Sequence, residues 1–248
     1  MKSFNNILVV VDSTRAEHHE LERAMKLAEY GGVKLHLVDI VKDASLTVRL
    51  LSRDYLHIHE LLVKEKREQL QVLVDRCKSH GIEADGEVLE GVSSQLTLLA
   101  AQRIGADLIV RATKGPGSRQ TGNLGTSSQK LIQRLPCAMW LADQDHEPEC
   151  NTIVAAVDAS PGDEAHQRLN QRIMQVANDL ATRERAKLLV CYVWSLYGSE
   201  MLRHRLPASE FETLLEFNRQ QHRESFEALL SAHDLHAEEQ ANRETYRN

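Results

Sequence analysis

The sequence predicts an α/β protein with a doubly wound parallel sheet of five strands, followed by a second, shorter copy of the same design. Three observations support this prediction. Short apolar runs alternate with helical segments through residues 1–143, and a glycine-rich loop follows the fourth run. The first run, from Asn6 to Asp12, is echoed in the segment from Asn151 to Asp158, which indicates an internal repeat of domain size.

The first copy begins with a strand at residues 7–11, a continuous apolar run typical of a strand buried on both faces. Asp12, Ser13 and Thr14 then offer side chains suited to starting a helix. The apolar positions of that helix recur at helical spacing, and the next strand is predicted at residues 34–41. The predicted buried positions of the first helix are Leu21, Ala24, Met25, Leu27 and Ala28.

The rest of the first copy continues the alternation. A long helix is predicted at residues 52–79, with its charged run at 64–68 on a solvated face. Strands follow at 82–89, 108–110 and 138–142, with helices at 94–104 and ending near 132. The apolar stripe of the long helix is assigned to Leu61, Leu62, Leu70, Val72 and Leu73, with Lys64 beside it.

The second copy is expected to be incomplete. The domain boundaries are placed at 1–143 for the first copy, 144–150 for a polar linker and 151–248 for the second copy. The second copy offers a strand near 152–157, a helix, a strand at 187–194 and a long helix at 209–231. It is expected to lack the phosphate loop and the last strands, and Asp158 is predicted to cap its first helix.

Composition excludes several classes of protein. The formal charge of −6 and the isoelectric point of about 6.1 argue against a nucleic-acid-binding surface. No apolar run long enough for a membrane span or a signal peptide is present, so no membrane partner is expected. The four cysteines form no CxxC pair, which disfavours a zinc site or a disulfide framework and favours a reduced cytoplasmic setting.

The loop at residues 111–128 carries the strongest functional signal. Gly115 and Gly125 are separated by nine residues, and Thr126 follows directly. Glycines let backbone N–H groups approach an anion, and the N-terminus of the following helix adds partial positive charge. Asp12 ends the first strand, so both features fall at carboxyl ends of strands, where ligands bind in such sheets.

These motifs resemble the universal stress protein family, and the duplication resembles its tandem, universal stress protein E-like branch. The family's phosphate loop is G-x2-G-x9-G-[ST], and this chain has Ala112-x2-Gly115-x9-Gly125-Thr126, with alanine at the first glycine. The resemblance covers residues 4–142 and, over a partial second copy, 151–240. It implies a Rossmann-like fold, a role in stress response and binding of ATP or a related adenine nucleotide.

The resemblance also implies which residues bind the nucleotide. Asp12 would contact adenine, and a backbone contact would come from the second strand. Arg111 stands where the family often has an apolar residue, and two alternatives stay open: it pairs with Asp12, or it points at phosphate. The nucleotide-binding set is Val10, Val11, Asp12, Leu37, Arg111, Ala112, Gly115, Gly125, Thr126 and Ser127.

Two hypotheses for the function follow. The first is a binding or signalling module rather than an enzyme, because no general base, nucleophile or acidic pair for Mg²⁺ accompanies the loop. Slow hydrolysis of ATP by incidental water stays open, as does a role for Mg²⁺. The alternative is a nucleotide-free interaction module, because family members pair through their last strand and residues 138–142 offer one here for a homodimer.

Overall fold

The protein was analysed as a computed structural model that describes residues 4–29, 32–42, 55–113, 126–143, 150–162 and 164–235. The chain divides into two units, Met1–Pro148 and Glu149–Asn248, with the division inside the predicted linker. None of the helices described is long and apolar enough to cross a membrane.

The first unit has nine described elements in alternating order, close to the predicted bounds. They are β1 (Asn6–Val11), α1 (His19–Ala28), β2 (Lys34–Val41), α2 (Tyr55–Ser79), β3 (Glu83–Glu90), α3 (Ser93–Ile104), β4 (Leu108–Ala112), α4 (Thr126–Ile132) and β5 (Ala138–Ala142).

The five strands form one parallel sheet in the order β3-β2-β1-β4-β5. The chain therefore first winds outward from β1 to β3, then crosses over to β4 and β5 on the other side. This strand order confirms the predicted doubly wound α/β fold.

The core lies on both faces of the central strand β1, where Ile7, Leu8 and Val9 are fully buried. Leu8 packs with Ile109 of β4 against α3, which also contacts α4. The helices α1 and α2 contact each other through ion pairing and cover the opposite face. Burial on both faces explains why β1 is a continuous apolar run.

The start of α1 differs from the prediction. The helix begins at His19, not at residues 12–14, and its N-cap residue His18 makes no side-chain cap hydrogen bond. Ser13 has another role, because both its backbone N–H and its hydroxyl donate to Asp39 of β2. The predicted buried face of α1 is confirmed, since all five of its apolar positions are buried.

The buried face of α2 is also different from the predicted stripe. Leu70 and Leu73 are buried as expected, but Leu61, Leu62 and Val72 are exposed. The helix is rotated so that its buried positions recur three or four residues apart and include a lysine within the charged run. These positions are Val63, Lys66, Leu70, Leu73, Val74 and Cys77.

The second unit repeats the first four elements of the fold, with one short helix added. It contains β6 (Thr152–Val157), α5 (Glu164–Glu184), β7 (Lys187–Tyr192), α6 (Ser199–Arg205) and α7 (Ala208–Ser231). The strands β6 and β7 are parallel and form a two-stranded sheet in the described part of the chain. The short helix α6 was not predicted, and residues 236–248 lie outside the description.

Asp158 does not cap α5. Its Oδ1 atom accepts hydrogen bonds from the backbone N–H and the hydroxyl of Ser160, at 3.1 and 2.6 Å. The carboxylate thus closes a tight turn from Asp158 to Ser160, whereas α5 begins only at Glu164. The cap prediction is wrong because the turn satisfies the side chain first.

Candidate functional site

The sheet has its switch point between β1 and β4, where the winding direction of the chain reverses. The register pairs Val10 with Arg111, so Ala112 lies level with Val11, and Asp12 follows immediately. Five of the predicted binding residues therefore meet at one edge of the sheet, although paired residues such as Val10 and Arg111 are 101 positions apart in the sequence. This carboxyl edge is where ligands bind in open α/β sheets.

A polar cluster, called here the Lys66 cluster, occupies the face of this edge that α1 and α2 cover. It consists of Asp12, Ser13, Asp39 and Lys66. The Nζ atom of Lys66 donates to Oδ1 of Asp12 at 2.8 Å and to Oδ1 and Oδ2 of Asp39 at 3.0 and 2.8 Å. Ser13 adds its backbone N–H and its hydroxyl, which donate to Oδ2 of Asp39 at 2.8 and 2.5 Å.

The carboxylate of Asp12 already has several partners within the protein. Besides the Lys66 bond, its Oδ1 atom accepts from the hydroxyl of Thr14 at 2.8 Å, and its Oδ2 atom lies 3.8 Å from Nε of Arg15. Its side chain keeps 19% of its surface exposed, whereas Asp39 is fully buried. Asp12 is the member of the cluster that a ligand can reach.

Asp12 and Lys66 stabilise each other in their charged forms. Burial raises the pKa of Asp12, but hydrogen bonds from Lys66 and Thr14 outweigh it, and the net pKa lies below the ordinary value. Burial lowers the pKa of Lys66, but hydrogen bonds to Asp12 and Asp39 outweigh it, and the net pKa is raised. At neutral pH the ammonium group of Lys66 therefore faces the ionised carboxylate of Asp12.

Sequence reasoning missed Lys66 and Asp39, although signals for both exist. Asp39 is a carboxylate inside the apolar strand β2, and such a group needs a counter-ion when it is buried. Lys66 lies three residues after Val63 and four before Leu70, at the spacing of a buried helix face. Its neighbour Lys64 does belong to the solvated face, where it pairs with Glu68.

Arg111 lies on the opposite face of the sheet, together with Ile109 two residues before it. It is 8% exposed, and its Nε and Nη1 atoms have no hydrogen-bond partner among the described residues. Burial lowers the pKa of Arg111. Of the two alternatives, pairing with Asp12 is not found, because Asp12 pairs with Lys66 and Arg15 instead.

The remaining predicted residues fall into two groups. Leu37 is not at the carboxyl edge, which is a correction: it lies in mid-strand, fully buried, level with Val9 on one side and Gly86 on the other. Leu37 has no exposed surface, so its backbone is out of reach of a nucleotide at the edge. Gly115 and Gly125 lie outside the described residues, as do the side chains of Thr126 and Ser127, whose backbone begins α4.

The second unit carries a different set of residues at the matching edge. Tyr192 is level with Val157, as Asp39 is level with Val11, so a phenol replaces the buried carboxylate. Its hydroxyl lies 2.6 Å from Nδ1 of His222, whose ring stacks on Trp194. Burial raises the pKa of Tyr192 and lowers that of His222. Neither of these two groups is an ammonium group like that of Lys66 in the first unit.

The strand order and the residues at the carboxyl edge define the class of protein. It is a doubly wound α/β protein with charged groups at the switch point of its sheet. Comparison with known proteins agrees with this class. The model of the universal stress protein family matches residues 3–142. The chain belongs to the universal stress protein family.

Two curated relatives illustrate the similarity. Universal stress protein MJ0531 of Methanocaldococcus jannaschii is 25% identical over 135 residues, which cover 54% of this chain and 79% of that protein. Universal stress protein E of Photorhabdus laumondii is 19% identical over 186 residues, which cover 74% of this chain but only 59% of that protein.

Among solved structures, PA1789 of Pseudomonas aeruginosa PAO1, described as functionally unknown, superposes with a TM-score of 0.66 at 21% identity. The superposition covers 96% of this chain and 72% of that one. At this identity the likeness concerns the fold, and it extends over both units of the chain.

Proposed function

We propose that the first unit binds an adenine nucleotide such as ATP at the carboxyl edge of β1 and β4 and serves as a binding or signalling module in the stress response. One observation carries the proposal: the strand order places Asp12 beside Ala112, the residue from which the G-x9-G-Thr loop departs. A partly exposed carboxylate that accepts hydrogen bonds thus lies next to the start of a phosphate-binding motif.

The chemistry of the edge favours binding over catalysis. Both carboxylates of the Lys66 cluster are already bound to an ammonium group, so they do not form a free acidic pair for Mg²⁺. Among the described residues, no group of three or more His, Cys, Asp or Glu side chains is arranged to hold a metal ion. We therefore propose that any hydrolysis of ATP is slow and incidental.

The proposed setting is the cytoplasm. All four cysteines are free, as expected for a reducing compartment. Burial raises the pKa of the Cys77 and Cys137 thiols, which keeps both in the unreactive protonated form.

Titration calorimetry with ATP tests the binding proposal. The parent is compared with a Gly125→Val, Thr126→Val variant, and Thr213→Val, a change on helix α7 of the second unit, is the control. We expect binding by the parent and the control but not by the loop variant. The absence of a binding isotherm in the parent at about 1 mM ATP, or unchanged binding in the loop variant, contradicts the proposal.

A second candidate function is association of two chains without a nucleotide. It is favoured by β5, which ends the five-stranded sheet and pairs only with β4 among the described strands. Its unpaired edge is a template for a strand of another molecule. Sedimentation equilibrium over a range of protein concentrations, with and without ATP, tests it, and a monomer at every concentration contradicts it.

A further inference from the structure

A chain of hydrogen bonds links the helix α7 to the carboxyl edge of β6 and β7. The Nδ1 atom of His222 in α7 lies 2.6 Å from the hydroxyl oxygen of Tyr192. That oxygen lies 3.3 Å from Oγ of Ser160, and the hydroxyl of Ser160 donates to Oδ1 of Asp158 at 2.6 Å. These four residues are called the His222 chain below. They join the helix to the ends of both strands of the second unit.

The number of hydroxyl protons fixes the direction of these bonds. Ser160 has one proton, which it donates to Asp158. Tyr192 also has one, and burial raises the pKa of the phenol, so the proton stays on the oxygen at neutral pH. The contact of Tyr192 with His222 is shorter than its contact with Ser160, which indicates that Tyr192 donates to Nδ1. An Nδ1 atom that accepts belongs to a neutral imidazole with its proton on Nε2.

Protonation of His222 reverses the His222 chain. In the imidazolium Nδ1 is a donor, so the oxygen of Tyr192 has to accept from it. The proton of Tyr192 then turns to Oγ of Ser160, which continues to donate to Asp158. The charged ring is thus connected to the carboxylate through two hydroxyl groups rather than by direct contact.

The surroundings of His222 favour the neutral ring. Burial lowers the pKa of His222, and the negative charge of Asp158 opposes this effect without cancelling it. His166 of α5 lies 3.4 Å from Oδ2 of Asp158 and shares that carboxylate. The charged residues that flank His222 on α7 form ion pairs along the helix, namely Arg219 with Glu216 and Arg223 with Glu227.

The neighbouring helix α6 bears on a different part of α7. Its Arg203 lies over the ring of Phe211, with the guanidinium carbon 5.3 Å from the ring centre. Phe211 precedes His222 by about 16 Å along the helix axis. Asp158 is therefore the charged group that acts on His222 from the strand edge.

We propose that His222 is a pH-sensitive switch that controls how firmly α7 is held to the carboxyl edge of the second unit. The neutral ring accepts the proton of Tyr192 and holds the helix, whereas the protonated ring reverses the His222 chain and places a positive charge in a half-buried site. The switch lies in the second unit and is independent of the nucleotide site proposed in the first.

The direction of the pH dependence follows from linkage. The pKa of His222 in the folded chain lies below its ordinary value, so folding favours the neutral form. The stability that His222 contributes is complete above about pH 6.5, the ordinary pKa of histidine, and is lost as the pH falls through the folded pKa. Acid therefore weakens the hold on α7.

Trp194 reports the charge of His222, because the two rings are stacked with their centres 4.9 Å apart and a protonated imidazole quenches indole fluorescence on contact. The chain has two tryptophans, so the titration uses the full chain with Trp140→Phe. We expect the emission to fall between about pH 7.5 and about pH 4.5, with a midpoint below about pH 6.5. His222→Gln in the same background should remove this transition.

Two further variants should move the midpoint in opposite directions. Tyr192→Phe removes the donor to the neutral ring, so the midpoint should rise by about 0.5 to 1 pH unit, the equivalent of one hydrogen bond. Asp158→Asn removes the charge that favours the protonated ring, so the midpoint should fall. His166→Gln, which changes the other histidine beside Asp158, is the matched control and should keep the transition.

Urea denaturation followed by Trp194 emission, at about pH 7.5 and about pH 5.5, measures the hold on the helix. We expect the parent to lose more stability on acidification than His222→Gln. If His222→Gln does not fold, Tyr192→Phe replaces it and should also lose less stability than the parent, because its folded pKa lies closer to the unfolded value.

Three outcomes overturn the switch. The first is a parent whose Trp194 emission does not change with pH, or changes equally in His222→Gln. The second is a midpoint that Tyr192→Phe and Asp158→Asn leave in place or move in the same direction. The third is an equal loss of stability on acidification in the parent and in the variant compared with it, because Trp194 would then report a titration that does not act on α7.

Discussion

Lys66 is the residue on which the polar edge of the first unit depends most. Its ammonium group is bonded to two carboxylates, one of them fully buried, and it fills a position at the spacing of an apolar stripe. Removing one partner of a buried ion pair costs far more than the pair contributes, because the other charge stays buried without compensation.

We expect Lys66→Met to lower the free energy of unfolding by about 3–5 kcal/mol, since Asp39 then has no counter-ion in the cluster. Urea denaturation measures the change. Lys64→Met, on the solvated face of the same helix, is the control, and its exposed pair with Glu68 should be worth less than about 1 kcal/mol. Equal effects of the two substitutions would show that Lys66 is not the buried counter-ion.

The same cluster bears on ligand preference. A nucleotide base that uses Asp12 as an acceptor shares this carboxylate with Lys66 and Thr14. The side chain of Asp12 keeps 19% of its surface exposed, so a donor group of a ligand can reach it. Asp12 therefore acts at this edge as a fixed, charged acceptor.

At the scale of the elements, Gly86 is the point at which α2 and β3 pack closely. A Cβ atom built on Gly86 of β3 would lie 2.8 Å from Cγ2 of Val74 and 3.3 Å from the carbonyl oxygen of Leu37. Real Cβ contacts are longer than the first distance, so only glycine fits between the helix and the neighbouring strand in this arrangement.

We expect Gly86→Ala to cost about 1–3 kcal/mol by overpacking and Val74→Ala to cost about 2 kcal/mol by leaving a cavity. The double variant should cost at least about 0.5 kcal/mol less than the sum, because the new methyl group enters that cavity. Chemical denaturation of the single and double variants measures the coupling. Val72→Ala, at an exposed position of α2, should be additive with Gly86→Ala, and additivity in both cases would contradict the packing.

At the scale of the whole molecule, the two units differ in how well they bury their first strand. Leu8 of β1 is fully buried under α3, while Val154 at the matching place in β6 is 60% exposed. The described part of the second unit has no helix that corresponds to α3 and only two strands. Small sheets with an open face provide less protection against local opening.

We expect the amides of β1 and β4 to exchange hydrogen most slowly and those of β6 and β7 to exchange distinctly faster. Hydrogen exchange of the intact chain, read by mass spectrometry, compares β2 with β7, which both pair with the first strand of their unit. Limited proteolysis should cut first within residues 195–248. Equal protection of the two units would contradict this difference in stability.

The sequence determines most of the fold, because strand and helix periods are local properties. The bounds of β2 and β5 match the prediction, and the alternation of elements fixes a parallel sheet with Asp12 and Ala112 at its carboxyl edge. The assignment of Leu37 to the binding site is wrong because local pattern does not fix how far along a strand the edge lies. The predicted stripe on α2 is wrong because local pattern does not fix the rotation of a helix about its axis.

The tertiary structure decided the chemistry of that edge. Lys66 meets Asp39 across 27 positions and Asp12 across 54, and only the packing of α2 on the sheet brings the three together. The same holds for Arg111, whose Nε and Nη1 atoms are buried without a hydrogen-bond partner among the described residues. Local pattern sets which residues form each element, whereas burial and pairing of charges depend on neighbours that only the folded chain supplies.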